Sequence, residues 1–241
     1  MVISRMHYEI KFRFNKLNSN HKEDFDPEII DDAINKASDD YVEIFYSGNN
    51  TREYKLGFEV TQQRSDMLST LVVPEKQVSP TLVRTNLYKM VTSTLSPSYR
   101  HFLRGWVTAT GCTDMIPITI VRHNDLDYKL KDSNQKPNLQ WRRCLGVFKT
   151  DGLYLYTDYT ITNVYIEYLR NPVKVFSGNY DSLERLQGDL TAYGTASPIV
   201  HSDLPTQHHD LLVDMTVQYL ARTLEDTNKF SLQKEQILSK I

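Results

Sequence analysis

Cysteines and long apolar segments are scarce in this sequence of 241 residues. No apolar run approaches the roughly 18 to 20 residues that a membrane-spanning helix requires, so we expect no segment to cross a bilayer. Four charged side chains interrupt the N-terminal stretch MVISRMHYEIKFRF. The stretch therefore lacks the apolar centre of a secretory signal, and we expect the chain to stay where it is made. The two cysteines, Cys112 and Cys144, lack the paired spacing of a zinc site, which predicts small core or half-buried residues.

Net charge is also small, because 28 Lys and Arg side chains stand against 30 Asp and Glu side chains, for a formal net charge of -2. Basic and acidic residues are interspersed, whereas a nucleic-acid-binding protein usually has a clustered basic face. We therefore expect contact with DNA to be incidental. Arg142 and Arg143 beside Trp141 leave one alternative open, a nucleic-acid-binding module. In a predicted strand, however, the two arginines point to opposite faces, which disfavours a shared phosphate site.

Sequence motifs of the common enzyme classes are absent. The chain contains no GxxxxGK[ST], GxGxxG or GxSxG segment and no paired CxxC. Phosphate-binding loops, dinucleotide-binding folds, hydrolase elbows and zinc ribbons therefore find no support. Isolated acidic residues at 113–115 and 124–127 are interpreted as solvated caps. We expect no enzyme, and we assign no catalytic residue, no cofactor and no metal ligand.

The stretch 201–226 is rich in histidine and aspartate and is the best candidate for ionisable chemistry. His208 and His209 are adjacent, and about 100° of helical rotation separates them, so they cannot easily hold one metal ion from one helix. Asp210 and Asp214 share a helical face that continues with polar residues, which predicts a solvated stripe. We interpret His208 as a half-buried residue beside the apolar face. The open alternative is a hydrolase-type enzyme that pairs one of these histidines with one of these aspartates.

Helices are predicted at both ends of the chain. Residues 6–17 fit both a strand-like alternation and a helical repeat of apolar positions, and we favour the helix. The most regular apolar stripe lies in 27–47, where Asp26 caps the helix, Pro27 opens it and a glycine ends it. A further helix is predicted over 57–69.

The C-terminal helix is predicted to begin at Asp203 or Leu204, with Pro205 in its first turn. It has two apolar strips, so it must be covered on two sides. One cover is the chain's own sheet or helices. The other is either a neighbouring subunit or a purely internal layer, and the sequence leaves both open.

Short segments of aromatic and β-branched residues fill the middle of the chain, which is typical of an antiparallel sheet. The segment KTDG at 149–152 predicts a two-residue hairpin, and HNDLDYKLKD predicts a short helix capped by Asn124 or Asp125. The predicted strands are 84–92, 101–110, 115–122, 141–149, 152–157 and 162–170.

Together these patterns predict an α+β fold, in which N-terminal helices and a C-terminal helix pack on a central antiparallel β-rich region. The predicted parts are an N-terminal helical part at 1–79, an antiparallel β-rich part at 80–176, a long surface excursion at 177–202 and a C-terminal helical part at 203–241. The last part completes the helical layer.

Five blocks of the sequence, which span most of the chain, resemble the ring-forming head-to-tail connector proteins of crAss-like tailed bacteriophages. The blocks lie in the order of that family. They are MHYEIKFRFNKLNSN at 6–20, PEIIDDAINKASDDYVEIFYSG at 27–48, GFEVTQQRSDMLSTLVV at 57–73, WRRCLGVFKTDGLYLYTDYTITNVYIEYLRNPVKV at 141–175 and DLPTQHHDLLVDMTVQYLARTLED at 203–226.

The resemblance implies a structural virion protein that forms a homo-oligomeric ring, with twelvefold symmetry, beneath the portal. Such a ring joins head to tail and lines the channel for genome passage and ejection. The implied partners are copies of the chain itself, the portal protein and adjacent ring or tail proteins, with DNA only in transit and no membrane. The implied location is the neck or tail of the virion, and the host cytoplasm during assembly. The family has no catalytic motif to transfer.

Overall fold

The computed structural model describes residues 1–16, 25–47, 66–112, 114–178 and 199–223. Most of the predicted helix at 57–69, most of the predicted excursion at 177–202 and the end of the predicted C-terminal part lie outside the described residues. The chain divides into two compact units. The helical unit comprises Met1–Leu71 and Pro172–Ile241, and the sheet unit comprises Val72–Asn171.

The described secondary structure confirms an α+β fold. The helices are α1 (Ile3–Lys16), α2 (Pro27–Ser47), α3 (His123–Lys131) and α4 (His209–Thr223). The strands are β1 (Val72–Val78), β2 (Thr81–Arg84), β3 (Leu87–Met90), β4 (Tyr99–Ala109), β5 (Ile116–Ile120), β6 (Cys144–Lys149), β7 (Gly152–Tyr156) and β8 (Ile161–Arg170). Within the described ranges, no helix combines the length and the apolar character that crossing a bilayer demands.

The first two helices form because their apolar residues repeat at steps of three and four, which places them on one face. In α1 the buried side chains are Ile3, Met6, His7, Ile10 and Phe14. The helical prediction for 6–17 is therefore confirmed, and the strand-like alternation is not used. The helix predicted to open at Pro27 is also confirmed, and it ends at Ser47.

The helix α4 packs against both α1 and α2. Its buried residues lie around most of its circumference and include the continuous run from Leu211 to Val217. Because its own chain covers both sides, the two apolar strips belong to an internal layer. For the described residues of α4, the structure thus favours the internal layer between the two alternatives that the sequence left open.

The predicted start of the C-terminal helix at Asp203 or Leu204 is wrong. A single 3-10 turn spans Thr206–His208, and the α-helix begins at His209. Pro205 has extended backbone angles, with φ -55° and ψ 134°. The backbone N–H of His208 donates to the carbonyl oxygen of Pro205 at 2.9 Å, as in a 3-10 turn, while the carbonyl oxygen of Leu204 accepts from the ring of His209.

The eight strands form one sheet in the order β1-β8-β4-β5-β6-β7-β3-β2. Every neighbouring pair is antiparallel except β5 and β6, which are parallel. The prediction of a wholly antiparallel region is corrected at this pair. Parallel neighbours need a crossover connection of about a dozen residues or more, and here the connection contains α3.

The sheet is curled, because its two edge strands are consecutive in sequence. β1 ends at Val78 and β2 begins at Thr81, yet the two strands lie at opposite ends of the strand order. Three peptide steps span at most about 11 Å. The end of β1 and the start of β2 must therefore lie close together.

Three local predictions in the sheet unit need correction. The single strand at 84–92 is two strands, β2 and β3, joined by a turn at which Asn86 has φ 63°. The predicted strand at 141–149 begins only at Cys144. The predicted helix α3 is confirmed, but its cap is Arg122, with no side-chain cap bond, and not Asn124 or Asp125.

The main core of the sheet unit contains fifteen buried residues, among them Tyr88, Val107 and Ile166. A second cluster gathers β6 residues beneath α3, where Leu126 is buried. Cys144 is buried and Cys112 is half-buried, as predicted. Burial raises the pKa of the Cys144 thiol to about 12, so it stays protonated at neutral pH.

Candidate functional site

The histidine predicted to be half-buried beside the core, His208, is indeed of intermediate exposure, whereas its neighbour His209 is only 1% exposed. The Nε2 atom of His209 lies 2.9 Å from the carbonyl oxygen of Leu204, and its Nδ1 atom lies 2.6 Å from the amino nitrogen of Met1. A carbonyl oxygen can only accept, so Nε2 donates and Nδ1 is the acceptor of a neutral ring. His209 therefore ties the start of α4 to the chain before α1.

We expect His209 to make the protein less stable in mild acid. Burial, the main cause, holds the pKa of its ring below the ordinary histidine value. As pH falls through about 6.5, the unfolded chain takes up the proton before the folded chain does, so stability is present above this pH and is lost below it, by at most about 1.4 kcal/mol for each pH unit. Replacing His209 with glutamine, whose amide can still donate to Leu204, should flatten this loss.

The measurement is urea denaturation at a series of pH values for wild type, His209→Gln and His208→Gln. His208→Gln is the matched control, because desolvation also lowers the pKa of His208 but its ring is more exposed. His208→Gln should flatten the loss of stability in mild acid less than His209→Gln does. A His209→Gln profile parallel to that of wild type would contradict the prediction.

The predicted solvated stripe of Asp210 and Asp214 is wrong for Asp214, which is 2% exposed. One guanidinium nitrogen of Arg13 donates to the Asp214 carboxylate at 2.7 Å, and the other donates to Asp210 at 2.8 Å. Burial by itself lowers the pKa of Arg13, but the bonds to Asp214 and Asp210 outweigh it and the pKa is raised. The arrangement fixes α1 to α4 through a partly buried ion pair.

Sequence reasoning missed a buried hydrogen-bonded contact between α1 and α2. The Nε2 atom of His7 lies 2.7 Å from one carboxylate oxygen of Asp31. The other carboxylate oxygen accepts the backbone N–H of Ser177 at 2.7 Å. Asp31 thus joins three segments. No local pattern in the sequence indicates this contact, because His7 and Ser177 are 24 and 146 residues away from it.

Two depressions of the helical unit lie next to these histidines. One, of about 350 Å³, has His7, Lys11 and His201 in its lining. The other, of about 710 Å³, is lined by Asp66, His208 and neighbouring residues. The aspartates that the hydrolase alternative would need, Asp210 and Asp214, line neither depression.

The candidate nucleic-acid residues at 141–143 lie in the turn before β6. Trp141 is 68% exposed. Arg142 has φ 50° and pairs with Asp114 at 2.5 Å, while the backbone of Arg143 bonds to that of Asn138. Because these residues are not in a strand, the prediction that the two arginines point to opposite faces of a strand is wrong. One of the two cations is instead paired with an acidic residue of the same unit.

The outward side of α1 has exposed aromatic side chains. Tyr8 and Phe12 are 59% and 52% exposed, and their rings stack with centroids 6.2 Å apart. The guanidinium of Arg5 lies 5.4 Å from the centre of the Tyr8 ring, and the ammonium of Lys16 lies 6.0 Å from that of Phe12. With the half-buried Lys11, these five residues form what we name the α1 face. A shallow depression of about 400 Å³ runs along it.

The outward side of α2 is acidic. Asp32, Asp39, Asp40 and Glu43 are exposed there around a single exposed cation, Lys36, and we name these four acidic residues the α2 face. Asp40 also accepts a hydrogen bond from the hydroxyl of Tyr219 on α4. Burial, followed by this bond, raises the pKa of Tyr219 to about 12, so the hydroxyl remains a donor at neutral pH.

Among the described residues, no group of three or more His, Cys, Asp or Glu side chains is placed to hold a metal ion. The ionisable residues of α4 instead have structural partners on other segments, namely Met1, Leu204 and Arg13. Within the described residues, the α1 face and the α2 face are candidate contact surfaces. Comparison with known proteins gives no family for the chain, since no protein-family model matches it and no curated protein matches it.

Proposed function

We propose that the chain is a structural virion protein that assembles with copies of itself into a ring beneath the portal. In this role it joins head to tail and surrounds the channel through which the genome passes. The resemblance of five ordered sequence blocks to ring-forming connector proteins of crAss-like bacteriophages supports the proposal. In this proposal the protein acts by binding and not by catalysis. Besides copies of itself, its partners are the portal protein and adjacent ring or tail proteins.

The observation that carries the proposal is the exposed aromatic pair on α1. Tyr8 and Phe12 sit side by side on the outward side of a helix whose opposite side is buried. Large aromatic side chains are enriched in protein–protein interfaces, and contiguous exposed apolar surface often marks such a site. Since α4 is covered by its own chain, the α1 face is a surface through which this unit can contact another protein.

The test is the mass distribution of the purified full chain, measured by mass photometry alone and with portal protein. We expect closed oligomers of uniform mass, and a ring at the portal vertex in electron micrographs of virions. Replacing Tyr8 and Phe12 with serine should weaken assembly by about tenfold or more, because exposed aromatic residues often anchor interfaces.

Tyr128→Ser is the matched control, since Tyr128 is 69% exposed but lies in the sheet unit. It should leave the mass distribution unchanged. A wild-type chain that stays monomeric at all concentrations, even beside portal protein, would overturn the proposal.

A further inference from the structure

We infer that the α1 face of one copy binds the α2 face of the next copy, and that this contact, repeated around the ring, closes it. The inference rests on the proposed function, because it names the surfaces through which a self-assembling ring would form. The observation behind the inference is different, however: charge is distributed unequally between two helices of the same unit.

The two helices differ strongly in charge. α1 contains four Lys or Arg residues and one Glu, whereas α2 contains six Asp or Glu residues and one Lys. Three of these charged side chains are engaged inside the unit, since Arg13 pairs with α4, Asp31 is buried and Asp40 accepts a hydrogen bond from Tyr219 of α4. The outward charges are still basic on α1 and acidic on α2. Opposite potentials on two surfaces favour their association and fix its orientation.

Each of the two helices has one exposed side. α1 and α2 each pack against α4, so each has one side covered and one side exposed. The exposed side of α1 presents Tyr8 and Phe12 between cationic side chains, and the exposed side of α2 presents carboxylates at positions 32, 39 and 43. An aromatic centre with a charged rim is the usual composition of a protein interface.

The occupant of each face is therefore another copy of this chain, bound head to tail. A two-fold dimer whose axis passes through one face would place α1 against α1 or α2 against α2, and like charges would repel in either case. A contact between unlike faces is heterologous, and repetition of a heterologous contact gives a closed ring when the rotation closes. Charge complementarity thus favours contacts between unlike faces over contacts between like faces. A two-fold dimer can also pair the unlike faces reciprocally, so a wild-type dimer mass in place of a ring would overturn the inference.

Charge reversal of each face tests the inference. One variant is Lys11→Glu with Lys16→Glu, which makes the α1 face acidic. The other is Asp32→Lys with Asp39→Lys, which makes the α2 face basic. Each variant alone should be monomeric at concentrations where wild type assembles, with an apparent dissociation constant raised about a hundredfold or more, because like charges then face each other.

Mixing the two variants in equal amounts should restore assembly. In an alternating ring, the acidic α1 face of one variant meets the basic α2 face of the other, and the second contact retains the wild-type faces. Only even-numbered rings satisfy this pattern, so mass photometry should show even copy numbers alone. Lys131→Glu with Lys136→Glu is the matched control, because it reverses two exposed charges of the sheet unit and should leave assembly unchanged.

The outcomes separate the two proposals. If both charge-reversed variants still form rings like those of wild type, or if their mixture stays monomeric, this inference is overturned and the proposed function still stands. A wild type that never assembles overturns both. The variant Lys11→Glu with Lys16→Glu could lose binding to a short DNA duplex while its self-assembly is unaffected. In that case the α1 face serves an anionic partner and the inference is wrong.

Discussion

Replacing Arg13 with methionine is expected to lower the free energy of unfolding by about 3–5 kcal/mol, because it leaves a buried carboxylate without its cation. The side chain of Asp214 is only 3% exposed, and a guanidinium nitrogen of Arg13 lies 2.7 Å from it. Methionine keeps most of the apolar volume of the arginine stem, so the loss should come mainly from the missing charge. Urea denaturation followed by circular dichroism measures the change.

Two further variants distinguish this cause from lost packing. Adding Asp214→Leu to Arg13→Met removes the buried charge as well and should recover most of the stability, since a buried ion pair replaced by apolar residues is often neutral. Asp210→Asn should cost at most about 1 kcal/mol, because exposed ion pairs contribute little, and the Asp210 side chain is 66% exposed. A double variant as unstable as Arg13→Met alone would contradict the ionic explanation.

The existence of α1, α2 and α4 was predictable, because their apolar residues repeat with a helical period that local sequence contains. For α1 the burial of Ile10 and Phe14 agrees with the repeat, and the exposure of Tyr8 and Phe12 shows why the competing alternation misleads. These two aromatic residues are outward-facing surface and not the second face of a strand. The same helical repeat could have identified them as a candidate contact surface.

The pairing of distant residues was not predictable. Asp214 shares a helical face with Asp210, and that spacing gave the wrong expectation of a solvated stripe. Its burial depends on Arg13, 201 residues away in sequence. One local signal existed, since the residues three positions before and after Asp214 are Leu211 and Val217, both apolar. An acidic residue set among apolar neighbours in a helix is a reason to search for a buried cation.

The topology of the sheet was predictable only in part. The hairpin at 149–152 was found, because a two-residue turn is specified by adjacent residues, and Lys149 pairs with Gly152. The parallel pairing of β5 with β6 was missed, although the helix between them was predicted. A helical crossover permits parallel neighbours, but the sequence does not state which strands become neighbours.

Replacing Gly152 with alanine is expected to lower the free energy of unfolding by about 3–5 kcal/mol, through backbone strain and overpacking together. Gly152 has φ +148°, and a Cβ atom there would lie 2.1 Å from the carbonyl oxygen of Met90. Real Cβ contacts are never this close, so β3 would have to move away from β7. Hydrogen exchange of the β3 and β7 amides should rise along with the loss of stability measured in urea.

The matched control is Gly111→Ala in the same unit, which separates backbone strain from the steric conflict. Gly111 also has a positive φ, of +82°, but nothing lies within 4 Å of a Cβ atom placed there. Its alanine variant should cost only about 1–2 kcal/mol, the usual price of a left-handed conformation, with exchange at β3 and β7 unchanged. Equal losses in the two variants would mean that strain alone acts at Gly152 and that the close approach of β3 contributes nothing.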